Sequence, residues 1–304
     1  MTTDLLADFI RANTEADLGV YGVQAQRDGG PPIAHRFRSD DRVNLYSVSK
    51  GFTAVALGLA EAEGRLSLDD RLLDHFPELA PVAADGVERI TLYQLLTMSS
   101  GSSHEWFADR PIHAPDLLAE IVAAPLVAEP GTRFNYTGSG PYAAARALAR
   151  ATGATVRDYL LPRLFTPLGL HNPQWLRCPL GYPTAESDLL LRTEELGRFA
   201  LLLVREGTWT DGRQLIPAEF VRRMGTDVVD CSTGPARPSG EPDERTYGLG
   251  VWPRPGGRYQ LHGRYGQFAI IDRQRGAAVT CTAHTEREDA LMDALHGLVL
   301  DRMG

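Results

Sequence analysis

One segment constrains the fold of this chain more than any other, the run NLYSVSKGFTAVALGLAEAEG from Asn44 to Gly64. Between Phe52 and Ala60 nearly every residue is small or apolar, and the apolar residues recur at helical spacing. A helix that is apolar on almost all sides must be covered by other elements, so we expect this one to be largely buried. Gly64 is a natural C-terminal stop for it.

The same segment holds the only lysine of the chain, Lys50, because the other thirty residues in the Lys+Arg total of 31 are arginine. Two explanations are open. Coding bias has removed lysine everywhere else, or this position needs a property that arginine lacks. A guanidinium stays charged in any protein, whereas a buried ammonium can lose its proton and act as a base.

Ser47 lies three residues before Lys50, and residues at that spacing share a helix face. A helix that begins at Ser47 would bring its hydroxyl within hydrogen-bond reach of the amine. It would also put the serine at the positive end of the helix dipole. Burial disfavours a charged lysine, and a neutral lysine beside a serine is a known way to activate that nucleophile. The S-x-x-K spacing alone is weak evidence, but an unpaired cation opening a buried helix would be costly.

Composition excludes several other classes of function. The 304 residues are 43% hydrophobic and 23% charged, which is typical of a globular protein of one large domain or two lobes. A net charge of −8 argues against a nucleic-acid partner. The three distant cysteines and the scattered histidines predict no disulfide framework, no metal site and no cofactor.

No apolar run reaches the roughly 18 residues expected of a membrane span, so no membrane partner is expected. The first residues carry an acid and lack a long apolar stretch, which does not fit a secretory signal. We therefore expect a cytoplasmic location.

Strand patterns lie near both ends of the sequence, and helical patterns lie between them. LGVYGVQAQ and IAHRF come first, while YGLGVW, RYQLHG, QFAIID and AAVTCTA precede a final amphipathic helix. AESDLLLRTEELGRFALLLVREG is the clearest helical stretch between them. The predicted fold class is α/β (α+β), an antiparallel sheet flanked by helices, with residues 1–75 and 240–304 in one lobe and 76–239 in an inserted all-helical lobe.

The Ser-x-x-Lys at the start of a buried helix resembles the first motif of the serine β-lactamase and penicillin-binding protein superfamily. ITLYQLLTMSSG is similar to that family's I-T-x-x-x-L-L-T-H-T-S-G, with Met98 in place of histidine. EPGTRFNYTGSGPYAAARALARATG resembles its second motif region. Together with LFTPLGL and GTWTDGRQLIPAEFV, these stretches cover most of residues 40–285. Within the superfamily the chain looks most like class C β-lactamases and family VIII esterases.

The resemblance implies a role for Tyr136, since Tyr136-Thr137-Gly138 stands where the family has Tyr-x-Asn. Tyr136 would be the general base or proton shuttle beside the serine, which suits a phenol next to an ammonium. Gly138 is a departure in a substrate-binding position. The family asparagine donates a hydrogen bond to the substrate's amide carbonyl, and glycine cannot. This change puts β-lactam and peptide recognition in doubt and favours an ester or a small amide.

His262-Gly263-Arg264-Tyr265 resembles the third motif, which is Lys-Thr-Gly or His-x-Gly in relatives. The first three residues would bind substrate on a strand that walls a cleft between the lobes. The backbone N–H groups of Ser47 and Tyr265 would form the oxyanion hole. From the residues alone, an exposed histidine at a strand end is the better explanation of His262. Arg264 replaces the usual glycine and could bind a carboxylate, narrow the cleft or point to solvent.

These residues together predict an acyl-enzyme hydrolase. Ser47 attacks a carbonyl, Lys50 takes the proton, Tyr136 passes it to the leaving group, and water releases the acyl group. The substrate would be a small ester or amide, and the aromatic residues Trp106, Tyr247 and Trp252 either line the acyl pocket or simply pack.

Two alternatives remain. A transacylase, amide synthase or D-amino-acid peptidase could use the same residues. A family member without catalysis could bind a ligand. The oligomeric state is not predicted.

Overall fold

The computed structural model describes residues 5–104, 114–235 and 245–304. The α-helices are α1 (Ala7–Ala16), α2 (Ser49–Ala62), α3 (Leu72–His75), α4 (Leu92–Leu96), α5 (Leu117–Ala123), α6 (Ser139–Thr152), α7 (Val156–Leu160), α8 (Thr193–Val204), α9 (Ala218–Thr226) and α10 (Glu288–Leu298). The strands are β1 (Val20–Arg27), β2 (Ile33–Arg36), β3 (Val43–Asn44), β4 (Gln174–Trp175), β5 (Leu189–Leu191), β6 (Val229–Asp230), β7 (Thr246–Tyr247), β8 (Trp252–Arg254), β9 (Arg258–Gly263), β10 (Gln267–Asp272) and β11 (Ala277–Ala283).

Strands from both ends of the sequence form one six-stranded antiparallel sheet in the order β2-β1-β11-β10-β9-β8. The long pairing of β1 with β11 joins the two ends of the chain. The predicted fold class, an antiparallel sheet flanked by helices and built from both ends, is confirmed. The inserted part, residues 76–239, is mostly helical rather than all-helical, because it also contains the short strands β4, β5 and β6.

The central sheet is covered on both faces. On one face α1 and α10 bury an apolar cluster that includes Phe9, Phe268 and Leu295. On the other face α2 and α8 belong to a larger cluster that continues into the inserted helices. Side chains along a strand alternate between two such faces, so each residue of β9 belongs either to the α10 side or to the α2 side.

Helix α2 is enclosed over most of its length, since every residue from Ser49 to Ala60 is buried. The predicted buried helix is therefore confirmed. Its start differs slightly, because a 3₁₀ turn at Tyr46–Val48 precedes it. Gly64 follows its end with a φ of +65°, as a C-terminal stop requires.

The stretch from residue 185 to 207, expected as one long helix, is a loop, a strand and only then a helix. Ala185 and Asp188 have φ values of +64° and +70°, which no helix tolerates. Leu189–Leu191 pairs with β3 and β4, and α8 begins at Thr193. A short apolar run fits a buried strand as well as a helix, so the prediction was wrong there. Helix α8 also packs on the central sheet, although its residues fall within the predicted helical lobe.

Strand β9 approaches the segment before Ser47 very closely at Gly263. A Cβ at Gly263 would lie 2.2 Å from the Leu45 carbonyl oxygen, and backbone there cannot rotate away as a side chain can. The glycine is therefore needed for the packing of β9 against the nucleophile segment.

We expect Gly263→Ala to lower the thermal unfolding midpoint, because overpacking typically costs ~1–3 kcal/mol. Gly297→Ala in α10 is the matched control, since no heavy atom beyond its own helix lies within 4 Å of the added Cβ. Alanine should leave that helix unchanged or more stable by up to ~1 kcal/mol. Equal melting temperatures for Gly263→Ala and the unmodified protein would contradict the close approach.

Candidate active site

The structure brings Ser47 and Lys50 together as the sequence predicts. The Lys50 side chain is 1% exposed, and its Nζ lies 2.9 Å from the Ser47 Oγ. Ser47 is half-buried, in contrast to the enclosed lysine. The preceding residue, Tyr46, has a φ of +46°, a left-handed conformation of the kind that collects at functional sites.

Lys50 also contacts Glu186, a residue that the sequence analysis missed. Its Nζ lies 3.0 Å from the Glu186 backbone oxygen and 3.2 Å from the Glu186 Oε2. The Glu186 side chain is 2% exposed, so both charged groups are enclosed. A buried cation calls for a carboxylate partner, but no motif singles out one of the 39 acidic residues.

The loop that carries Glu186 is fixed to α2 on either side of the lysine. Thr53 Oγ1 donates to the Ala185 carbonyl oxygen at 2.7 Å, and the Ser49 Oγ accepts from the Leu189 N–H at 3.2 Å. Asn44 Nδ2 donates to Asp188 Oδ1 at 2.8 Å. The carboxylate of Glu186 is therefore held by the same elements that hold Ser47 and Lys50.

Tyr136 lies beside the lysine, as the resemblance to the second motif implies. The Lys50 Nζ is 4.8 Å from the centroid of its ring, within the range of a cation–π contact. The ring packs against Trp252 and Tyr247, with centroid separations of 5.5 and 5.7 Å. Both of these aromatic residues are buried and contact the Tyr136 ring, so they serve as packing around it. Trp106 lies outside the described residues.

The backbone on each side of Tyr136 is also fixed. The Asn135 N–H donates to the Met98 carbonyl oxygen at 2.7 Å, which ties this segment to the loop after α4. Gly138 is buried directly before α6 and has a φ of −87°. That conformation suits any residue, so the backbone does not require glycine at this position.

His262 does not face the nucleophile. Leu261 and Gly263 lie against Gly51 and the Leu45 carbonyl on the α2 side of β9. The intervening His262 points to the other side, where its Nε2 lies 2.6 Å from Glu288 Oε2 on α10. The register of β9 therefore contradicts the expectation that His262 lines the substrate site. The alternative of an exposed histidine is also wrong, because the His262 side chain is only 9% exposed.

Tyr265 also differs from the expectation. Its backbone N–H, predicted as an oxyanion donor, already donates to Glu288 Oε1 at 2.7 Å. An oxyanion at that N–H would have to displace the Glu288 carboxylate, so the structure does not support Tyr265 as an oxyanion-hole donor. Arg264 is exposed on the turn after β9, with its Cζ 4.7 Å from the Tyr265 ring centroid. That ring in turn lies 5.4 Å from the ring of Tyr46.

Glu288 therefore ties the β9–β10 turn to the last helix. Burial alone would raise the pKa of its carboxyl. The hydrogen bond and attraction of His262, the Tyr265 N–H and Arg264 outweigh burial and hold the pKa below its ordinary value of 4.5. A carboxyl with a lowered pKa stabilises the fold above its unfolded-state pKa, and that contribution is lost as pH falls through the folded-state value.

We expect Glu288→Gln to lower the thermal unfolding midpoint at pH 7, with a difference from the unmodified protein that shrinks below about pH 4.5. Glu286→Gln, an exposed neighbour, is the control and should have little effect. Thermal unfolding followed by circular dichroism between pH 3.5 and 7 tests this. A difference that stays constant over this range would contradict the pH-dependent role of Glu288.

Among residues 5–104, 114–235 and 245–304, no group of three or more His, Cys, Asp or Glu side chains is placed to hold a metal ion. In the same part of the chain, no helix has both the length and the apolar character needed to cross a bilayer.

Parts of the chain are similar in sequence to two esterases. The lovastatin esterase of Penicillium rubens is 33% identical over 181 residues, which cover 52% of this chain and 44% of that protein. Esterase EstB of Burkholderia gladioli is 28% identical over 166 residues, or 49% of this chain and 41% of that protein. The matched part thus spans less than half the length of either of these relatives.

A crystal structure of a family VIII carboxylesterase has a TM-score of 0.76 at 17% identity. It covers 97% of this chain and 96% of that one, and at such low identity the likeness shows the fold alone. The profile of the family described as Beta-lactamase matches residues 10–301. Because that match includes nearly the whole sequence, the chain belongs to the β-lactamase family.

Proposed function

We propose that this chain is a serine hydrolase that cleaves a small ester or amide through an acyl-enzyme at Ser47. One observation carries the proposal: the only lysine of the chain is 1% exposed and has its Nζ 2.9 Å from the Ser47 Oγ. A buried amine at this distance is placed to take the hydroxyl proton, which arginine could not do.

The reaction proceeds in two halves. The Ser47 Oγ attacks the carbonyl carbon while its proton moves to the Lys50 nitrogen. The bond to the leaving group then breaks, and Tyr136 passes the proton held by Lys50 on to the departing oxygen or nitrogen. Water attacks the resulting acyl ester in the second half, which releases a carboxylic acid and restores the serine. The N–H groups at the start of the helix favour the negative charge that develops near Ser47.

An ester is the favoured substrate. Gly138 offers no side chain to bind a substrate amide, and two of the relatives similar in sequence are named esterases. We also keep the cytoplasmic location and the absence of a cofactor as predictions.

The decisive experiment is labelling of the intact protein with a fluorophosphonate probe near neutral pH. We expect a single adduct on Ser47 and none in Ser47→Ala, together with hydrolysis of p-nitrophenyl esters that exceeds turnover of nitrocefin and short amides. Absence of any adduct would favour the non-catalytic, ligand-binding alternative. Capture of the acyl group by an added alcohol or amine in preference to water would favour a transacylase.

We expect Tyr136→Phe to lower kcat by about 10²-fold or more, the usual scale of general acid–base catalysis, with little change in KM. The substitution removes only the hydroxyl, so the packing of the ring against Trp252 and Tyr247 is kept. Steady-state kinetics on one p-nitrophenyl ester, with thermal unfolding as the control, tests this. A rise in KM at constant kcat would remove the proposed proton shuttle.

A further inference from the structure

Ser47 and Glu186 place three polar atoms within hydrogen-bond distance of the Lys50 nitrogen. They are the Ser47 Oγ at 2.9 Å, the Glu186 backbone oxygen at 3.0 Å and the Glu186 Oε2 at 3.2 Å. An ammonium has three N–H donors, and a neutral amine has two N–H donors and one lone pair. The same three neighbours therefore suit both states of the lysine that a proton transfer would connect.

In the neutral state, both acceptors on Glu186 can take an N–H bond of the amine. A lone pair directed at the Ser47 hydroxyl, whose oxygen lies 2.9 Å away, is compatible with these two bonds. A hydroxyl can donate as well as accept, so Ser47 can present its proton to that lone pair. Glu186 thus determines the direction in which the amine acts as a base.

In the charged state, the new ammonium lies 3.2 Å from a carboxylate oxygen. The two side chains are 1% and 2% exposed, so water screens their attraction far less than at a surface. A base in a serine hydrolase is commonly held and stabilised in this way by an acidic third residue. The proton taken from Ser47 during attack gives the amine its positive charge, so the attraction to Glu186 is stronger in the transition state than with the neutral amine.

We propose that Glu186 is the third member of a Ser47–Lys50–Glu186 triad, a positioning residue that aims the lysine at the serine and stabilises the ammonium formed on attack. The proton moves from the Ser47 oxygen to the Lys50 nitrogen, and the Glu186 carboxylate stays ionised throughout. The inference rests on the proposed function, because it assigns a role within the same reaction.

Two other titratable groups lie near this pair. Tyr136 faces the lysine from the segment before α6, and Asp188 lies two residues further along the Glu186 loop. Asp188 is also buried, but its carboxylate binds Asn44 and Thr184. Asp188→Asn is therefore a matched control, since it removes a buried negative charge from the same loop whose hydrogen bonds go to Asn44 and Thr184.

The first test is the pH dependence of ester hydrolysis in Glu186→Gln. We expect the maximal rate to fall at least about tenfold, within the up to ~10⁴-fold effect known for the acid of a serine triad. The rising limb of the pH profile should also move to lower pH, because loss of the carboxylate favours the neutral amine. Asp188→Asn should move that limb less. An unchanged limb and rate in Glu186→Gln, or an equal displacement in Asp188→Asn, would overturn the triad.

The second test needs no turnover. Because the chain has one lysine, protein labelled with ¹³Cε-lysine gives one side-chain signal that reports on Lys50 without assignment. Its chemical shift should change at lower pH in Glu186→Gln than in the unmodified protein. If Glu186→Gln does not fold, Glu186→Asp replaces it. That variant keeps the charge, so it should keep the rising limb but lose rate because its shorter side chain cannot reach the amine in the same way.

The two proposals fail separately. Lack of a Ser47 adduct in the unmodified protein removes the proposed hydrolase, whatever the lysine signal shows. A normal adduct with identical lysine signals in the unmodified protein and Glu186→Gln removes only the role of Glu186.

Discussion

The structure of this site depends on the burial of one positive charge. Taking an ammonium and a carboxylate out of water costs several kcal/mol per ion, and their attraction often does no more than offset this. Lys50 and Glu186 therefore contribute little to the stability of the fold, where two apolar side chains would serve as well. The proposed proton transfer explains why the two groups are enclosed beside Ser47. A base from which water is excluded keeps its orientation and its interaction with the serine.

The surroundings of the pair follow from the same constraint. To enclose the lysine, the chain brings a loop against the first turns of α2, and that loop takes left-handed backbone at Ala185 and Asp188. Tyr46 adopts a similar conformation directly before the serine. Such residues each cost of order 1–3 kcal/mol and persist only where the surrounding contacts fix them. Here hydrogen bonds to Ser49 and Thr53 on α2 provide these contacts.

The sequence could predict what depends on local pattern. The buried helix around Lys50 and the strands RYQLHG, QFAIID and AAVTCTA coincide with α2, β9, β10 and β11. It could not predict Glu186, because the partner of Lys50 is 136 residues away along the chain and lies in a stretch with a helical pattern. Nor could the sequence predict on which side of the sheet the His262 side chain lies, since this depends on how β9 is aligned with its neighbouring strands and the helices on either face. A shift of one residue would have reversed it.

The departures at the second and third motifs have one consequence in common. Gly138 lacks a side-chain amide, and the α2 side of β9 presents Leu261 and Gly263 instead of His262. By the resemblance to the family motifs, each change would remove a side-chain donor from the proposed substrate site. An enzyme strongly rejects a substrate that lacks a polar group only when binding it would leave buried polar groups of the site unpaired. With fewer such groups, the proposed site would impose less polar selection on the acyl part of the substrate. Under the proposed function, a simple ester, which needs fewer hydrogen bonds and has a better leaving group than an amide, suits that site more than a peptide.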